Sequence, residues 1–316
     1  MAGVTLAGYG LRRAGVGLLQ ILAVATLVFA FLEALPGDAA VAAAGDDPDP
    51  ARIAALRQQF GLDRPVWQRY GDWLGGLVTG DLGASLRSGR PVVSLLGTAA
   101  GPTTVLALVT LAVLVPLTVA LGVCAAVRAG GWFDRAVSST TVALHCVPEF
   151  ALAVLLIAVF ALWLGLLPAT AVGGGLLEDP ALLVLPVVVL LARSAAAPVR
   201  TLRGAMIDAL ASDYVAHARR HGLPRWRVLL GHALPNAAAP AVQQLARTVD
   251  WLVGGIIVVE AIFAIPGLSA VLVEAVAARD VPVVQGVTVM VAAVAVLANL
   301  TADVIAFRLA PRAGVA

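Results

Sequence analysis

The chain has no lysine. All 21 of its Lys-or-Arg residues are arginine. Without a lysine amine it can form neither a phosphate-binding loop of the form GxxxxGK[ST] nor a Schiff-base enzyme. Cysteine is scarce too. Cys124 and Cys146 both fall inside apolar runs, too few for a disulfide framework or a zinc site, and are expected to be small core residues. Charged residues make up only 13% and aromatics 5%, whereas an ordinary globular domain carries about 25% charge. With 60% hydrophobic residues and a mean hydropathy of +0.95, the natural solvent of this chain is lipid.

Long apolar runs occupy the rest. Six stretches are long enough to cross a bilayer, which takes about 20 residues of helix: 14–35, 100–127, 138–164, 181–199, 240–265 and 283–307. They lack the two-residue alternation of a membrane β-barrel, and open sheet edges do not survive in hydrocarbon, so the fold class is an all-α membrane protein with six transmembrane helices. Pro116, Pro148 and Pro186 fall inside spans and are expected to kink them. Dense Gly, Ala, Ser and Thr suit close helix contact in lipid. Arg12 and Arg13 precede the first run as in a signal peptide, but the run exceeds that signal's apolar core of about 7–15 residues, and cleavage is not expected.

Arginine placement sets the expected orientation. With the amino end inside, the short inner segments hold Arg12, Arg13, Arg128, Arg135, Arg200, Arg203, Arg219, Arg220, Arg225, Arg227, Arg308 and Arg312, whereas the short outer loops at 165–180 and 266–282 hold only Arg279. The positive-inside rule then places both termini and the basic stretch after residue 200 in the cytoplasm, and the long, nearly charge-balanced segment 36–99 outside. Three parts follow: a tail and first span at 1–35, an external helical segment at 36–99, and a five-helix core at 100–316 that contains a basic loop at 200–239.

The external segment has recognisable helices. Asp49 and Pro50 form a cap and first-turn pair, Ile53, Leu56 and Phe60 share one face, and Gly61 is the stop. A second helix puts Trp67, Tyr70, Trp73, Leu74 and Leu77 on one stripe, as an interfacial hairpin with rings at headgroup level or as a docking surface for an outside partner.

The basic loop reads as a short helix closed at both ends. In "SDYVAHARRHGLPRWR" Ser212 is the N-cap and Asp213 puts negative charge in the first turn. Arg219, Arg220 and His221 put positive charge in the last, and Gly222 is a left-handed stop. Leu223 packs back, and Pro224 restarts a helix from its first position. The helix is expected to present a basic face, to be exposed on two sides and to be held by few packing contacts.

The stretch from Ala216 to Pro235, "AHARRHGLPRWRVLLGHALP", resembles the EAA motif of bacterial ABC importer permeases: EAA, three residues, Gly, nine residues, I, one residue, LP. Ala218, Gly222, Leu234 and Pro235 fall on the pattern, whereas Ala216, His217 and His232 depart from it. The likeness continues through "LPGD" at 35–38, "LRQQFGLDRP", "YGDWLGGLVTGDLGASL", "GRPVVSLL", "GGWFDR" at 130–135, "VVEAIFAIPGL" at 258–268, "RDVPVVQG" at 279–286 and the closing "LAPR". It points to the dipeptide, oligopeptide and nickel permease subfamily.

That resemblance implies the type I ABC importer permease fold and a transport subunit rather than an enzyme. The basic helix would be a coupling helix seated in a groove of an ATPase subunit. Asp213, Tyr214, Ala216, Ala218, Arg219, Arg220, Gly222, Leu223, Pro224 and Arg225 would carry the contact. Implied partners are a second homologous permease, two ABC ATPases that bind ATP and Mg, an extracytoplasmic substrate-binding lipoprotein and the lipid bilayer. No cofactor, metal, catalytic residue or nucleic acid is expected of this chain. Peptides are the first expected substrate, with nickel or metal chelates, glycosides and opines as alternatives.

Charges inside spans usually face a cavity or a partner. Arg247 and Asp250, three residues apart, are expected to pair, and Glu260 to line the mouth of a pathway. Asn299 and Asp303 share a face toward a neighbouring helix, while His145 and Glu149 could meet inner loops or a metal. A secondary transporter or channel is the other class. It would need central ionisable pairs in broken helices and an internal repeat, and neither is evident in the sequence.

Overall fold

The computed structural model describes residues 6–35, 39–44 and 49–309, so parts of "LPGD" and "LAPR" lie outside the described residues. It is helical, with no strand among the described residues and one isolated antiparallel bridge, Ala84 with Pro91. In chain order the helices are α1 (Leu6–Ala34), α2 (Ala39–Ala44), α3 (Pro50–Gln59), α4 (Val66–Thr79), α5 (Val92–Val127), α6 (Trp132–Cys146) and α7 (Glu149–Leu156, extended by a π-helical turn Ile157–Trp163). Then come α8 (Ala181–Ser194), α9 (Ala196–Ala211), α10 (Asp213–Arg220), α11 (Arg225–Val228, with a π-helical Leu229–Ala233), α12 (Leu234–Phe263), α13 (Leu268–Ala277) and α14 (Val281–Leu309).

Three helices, within Gly10–Ala34, Val92–Val127 and Val281–Ile305, are long and apolar enough to span a membrane unbroken. With bent helix pairs counted as one span each, the number rises to six. The third expected span is not one straight helix: α6 and α7 meet at 102°. Pro148 has no N–H to continue α6 and forces Val147 into an extended conformation, φ −77° and ψ 128°. The fourth bends by 50° between Ser194 and Ala196, not at Pro186 as expected. Pro198, in the first turn of α9, has no N–H to give to Ser194, whereas α8 continues through Pro186. Likewise α5 continues through Pro116. In a long membrane helix, neighbouring groups and local adjustment absorb one missing donor.

Packing divides the chain into two units. One comprises Met1–Gly15, Val105–Ala264 and Leu297–Ala316; the other Val16–Thr104 and Ile265–Val296. In the second unit the two expected helices, α3 and α4, are present. Asp49 Oδ1 accepts from Ala51 N–H (3.0 Å), Ile53, Leu56 and Phe60 are half-buried, and Gly61 has φ +65°. Helix α4 packs on α1: the rings of Tyr70 and Trp73 lie 5.1 and 5.8 Å from that of Phe29, Tyr70 Oη is 2.7 Å from Thr26 Oγ1, and Arg69 pairs with Glu33. Trp67, one turn before Tyr70 in α4, is 74% exposed.

In the same unit, α13 ends on Arg279 in the left-handed region (φ +53°), with N–H bonds from Arg279 to Val276 and from Asp280 to Ala275. The turn points buried Asp280 at the 85–87 loop, where its carboxylate accepts from Ser85 Oγ and from the N–H groups of Leu86 and Arg87. In the first unit, Asp303 of α14 pairs with Arg13 of α1 (Nε–Oδ2 3.2 Å), the helix-to-helix role expected of that face. Cys124 is partly buried. Cys146 is exposed rather than in the core, because it is the last residue of α6 before the break.

Candidate coupling site

Helices α9 and α10 share one residue as a joint. Ser212 has extended backbone, φ −75° and ψ 153°, and ends α9 while opening α10. Its hydroxyl does not cap α10 as expected: Oγ–H donates to Ala209 O, one of the carbonyls α9 leaves without a helical partner. The first turn of α10 instead relies on Asp213 for negative charge at its dipole and on the Ala216 N–H to Ser212 O bond (3.1 Å).

The far end is closed as the sequence predicts. Gly222 has φ +75°, its N–H bonds to Arg219 O (3.0 Å), and Leu223 N–H reaches back to Ala218 O (3.4 Å). These two bonds make a Schellman stop, in which a left-handed residue lets two consecutive N–H groups serve the last carbonyls. Pro224 is the cap residue before α11 and not its first helical residue, with φ −65° and ψ 146°; its ring fixes φ but its extended ψ lies outside the helix.

Val215 and Ala218, three residues apart, are buried in a core with Leu202 and Met206 of α9, Val228 of α11, and Ala237 and Ala241 of α12. Leu223 packs against the same core. One face of α10 is thus seated in a core shared with α9 and α11. The remaining face is what a partner would meet: Asp213, Tyr214, His217, Arg219 and Arg220 are exposed, and Ala216 is half-exposed. Beside it lies a groove of about 490 Å³ between Ala126, Leu210, Arg219, Leu223, Arg225 and Val228. Exposed Trp226 stands next to Arg225.

A further feature, not found in the sequence, stiffens this site. Asp134, in the first turn of α6, is buried and takes both the Nε and the Nη2 (2.7 Å) of Arg203 on α9, with Gly130 N–H donating to its Oδ2 (2.8 Å). This fork ties α6 to the helix that carries α10. Both residues lie in segments read as inner loops, but 69 residues separate them and no local pattern links them.

The residues expected along a pathway do not converge on α10. Arg247 is exposed on α12, and the side chain of Asp250 lies outside the described residues. Glu260 has no exposed surface, so it does not line an open mouth in this conformation; it lies three residues before the end of α12, beside buried Val259 and Phe263, while Val258 and Ala261 are exposed. Among the described residues no group of three or more His, Cys, Asp or Glu could hold a metal.

Comparison with known proteins identifies the family. Residues 118–315 match the family described as binding-protein-dependent transport system inner membrane component, and residues 7–122 match its N-terminal companion. A probable peptide ABC transporter permease of Sinorhizobium fredii is 32% identical over 307 residues, covering 96% of this chain and 98% of that protein. A glutathione transport system permease of Escherichia coli O6:H1 is 38% identical over 282 residues, covering 89% and 90%. A putative peptide transport system permease of Brucella abortus is 34% identical over 299 residues, covering 93% and 95%. With a capped, basic helix on a membrane-helix scaffold and full-length likeness of this kind, the chain belongs to the family of inner membrane components of binding-protein-dependent transport systems.

Proposed function

We propose that this chain carries peptides through the membrane as one permease of an ATP-driven importer, coupled to its ATPases through α10. Membership of the family makes it a multi-pass transport subunit that works with an ATPase and a substrate-binding protein. The finer reading is an assembly with a second homologous permease, two ATPases that bind ATP and Mg, and a binding lipoprotein docked on the 36–99 segment. Peptides are supported by the relatives named for peptide and for glutathione transport.

The observation that carries the coupling reading is the form of α10. One face is locked into a core by Val215 and Ala218, the end is fixed by the Gly222 turn, and Tyr214, Arg219 and Arg220 stand exposed with Arg225 beyond. A helix held this firmly passes on displacement rather than absorbing it, as a joint between a moving ATPase and membrane helices must. Reversing Arg219, Arg220 and Arg225 to Glu is expected to cut copurification of the ATPase subunits at least about tenfold, given the few kcal/mol at stake when charges at an interface are made repulsive. Full retention would remove α10 from that contact.

Both termini and α10 are assigned to the cytoplasm on the arginine asymmetry. A reporter fused near residue 215 should read cytoplasmic and one near residue 60 external. The reverse pattern would overturn the orientation and the coupling reading together.

A further inference from the structure

At the α6–α7 break three helices bring ionisable side chains together inside the apolar bundle. The broken end of α6 frees the carbonyl of His145, and Arg193 from the last turn of α8 donates to it through Nη1 (2.6 Å). His145 Nδ1 lies 2.8 Å from Arg193 O, so each residue holds the other. The guanidinium also sits over the ring of Trp251 on α12, 4.9 Å from its centroid. Glu149, first residue of α7, stands with Oε1 3.8 Å from Arg193 Nε, beyond hydrogen-bond range, and that Nε is buried with no hydrogen-bond partner. Gly255 provides the room: a Cβ there would come within 3.1 Å of the Trp251 ring and 3.3 Å of Glu149 Oε2. An ionisable pair at a broken helix was the feature missed in the sequence.

We infer that Arg193 holds the C-terminal carboxylate of a peptide in passage, and that Glu149 is the resident counter-ion which that carboxylate displaces. The inference rests on the peptide reading above. Its ground is the contrast between two Arg–carboxylate pairs of one unit. Arg203 and Asp134 close into a two-bond fork with the Asp134 side chain 4% exposed, as a structural pair does. Arg193 and Glu149 form only a loose ion pair, Nε–Oε1 3.8 Å; the two arginines are alike at 31% and 29% exposed, but the Glu149 carboxylate is 17% exposed against 4% for Asp134 and is the partner able to move aside. The guanidinium is already positioned by a carbonyl and a tryptophan face, which lowers the entropy cost of binding, and its Nε, buried and without a hydrogen-bond partner, becomes available to a planar carboxylate that takes the place of Glu149. Glu149 nearby offsets the cost of the empty site and keeps the hold weak, as a station on a path requires.

The test uses cells carrying the complete transporter and a pool of di- to pentapeptides from digested casein, with depletion followed by mass spectrometry and rates set against the membrane abundance of the permease. Arg193→Gln is expected to slow depletion roughly tenfold, the loss of one charge-assisted hydrogen bond. Glu149→Gln should be milder. The double variant Arg193→Gln with Glu149→Gln should stay as slow as Arg193→Gln alone, because the visitor's partner is still missing. Arg193→Lys keeps the charge but loses the fork, and it should also be slow. Should Arg193→Gln fail to accumulate, the lysine variant decides the matter. Recovery in the double variant, or wild-type rates with lysine, would show a structural pair and overturn the inference. If wild-type cells deplete no more peptide than cells lacking the chain, the peptide reading falls and this inference with it.

Discussion

Replacing Gly222 with valine is expected to abolish ATP-dependent uptake while leaving the protein in the membrane. The residue has φ +75°, and a Cβ there would meet nothing within 4 Å. The penalty is therefore purely one of backbone, about 1–2 kcal/mol for an L-residue held in the left-handed region and more for a β-branched one. The turn can relieve that strain only by giving up the two bonds that end α10, Gly222 N–H to Arg219 O and Leu223 N–H to Ala218 O. Val215 and Ala218 keep the first turns of the helix in their core, so the bundle stays folded while the basic end and Pro224 swing away. Uptake by whole cells, membrane abundance and ATPase copurification should be measured together. Normal uptake with normal ATPase retention would show that the turn is not needed for coupling. Gly222→Ala, without branching, should lose less.

Arg203→Met is expected to lower the amount of folded protein more than any change on the exposed face of α10. It leaves the Asp134 carboxylate buried with only the neutral donors Gly130 N–H and the Ser138 hydroxyl, and a buried charge that has lost its ion partner costs about 3 kcal/mol or more. Set against a total stability of about 5–15 kcal/mol, that is enough to reduce abundance severalfold. Replacing both partners, Arg203→Met with Asp134→Leu, removes the charge as well as its partner and should restore most of the abundance. Uptake per molecule in that double variant is a separate result: a deficit would show that the tie between α6 and α9 also stiffens the route from α10 into the membrane helices. Thermal aggregation in detergent, read beside abundance, checks the stability claim. An Arg203→Met protein as heat-resistant as wild type would refute it.

Features encoded within a few residues were legible in the sequence. The caps at Asp49 and Pro50, the stop at Gly61 and the stop at Gly222 each depend on one residue type whose side chain, or lack of one, fits a single local geometry. Where the local signal is absent the reading failed. Helix α13 ends on Arg279 at φ +53° with no glycine to announce it, because the bonds of the turn and the Asp280 carboxylate reaching Ser85, Leu86 and Arg87 hold the strain. Prolines misled in the other direction. Pro148 breaks its span, with Val147 before it extended, whereas Pro116 and Pro186 stay inside continuous helices.

By itself the sequence determined the solvent, the helical class, the stops at Gly61 and Gly222 and the place of the motif at 216–235, since these follow from composition and from residues near one another in the chain. Only the tertiary structure decided which face of α10 is anchored, that Asp134 meets Arg203, that Glu260 is enclosed, and that Arg193 stands beside Glu149 without closing on it. Asp134 and Arg203 lie 69 positions apart, and α10 is seated on helices both before and after it in the chain. In an apolar bundle many helix faces are almost equally greasy, so hydrophobic pattern does not choose between neighbours; the choice is made by where the few charged side chains can satisfy one another once the helices pack.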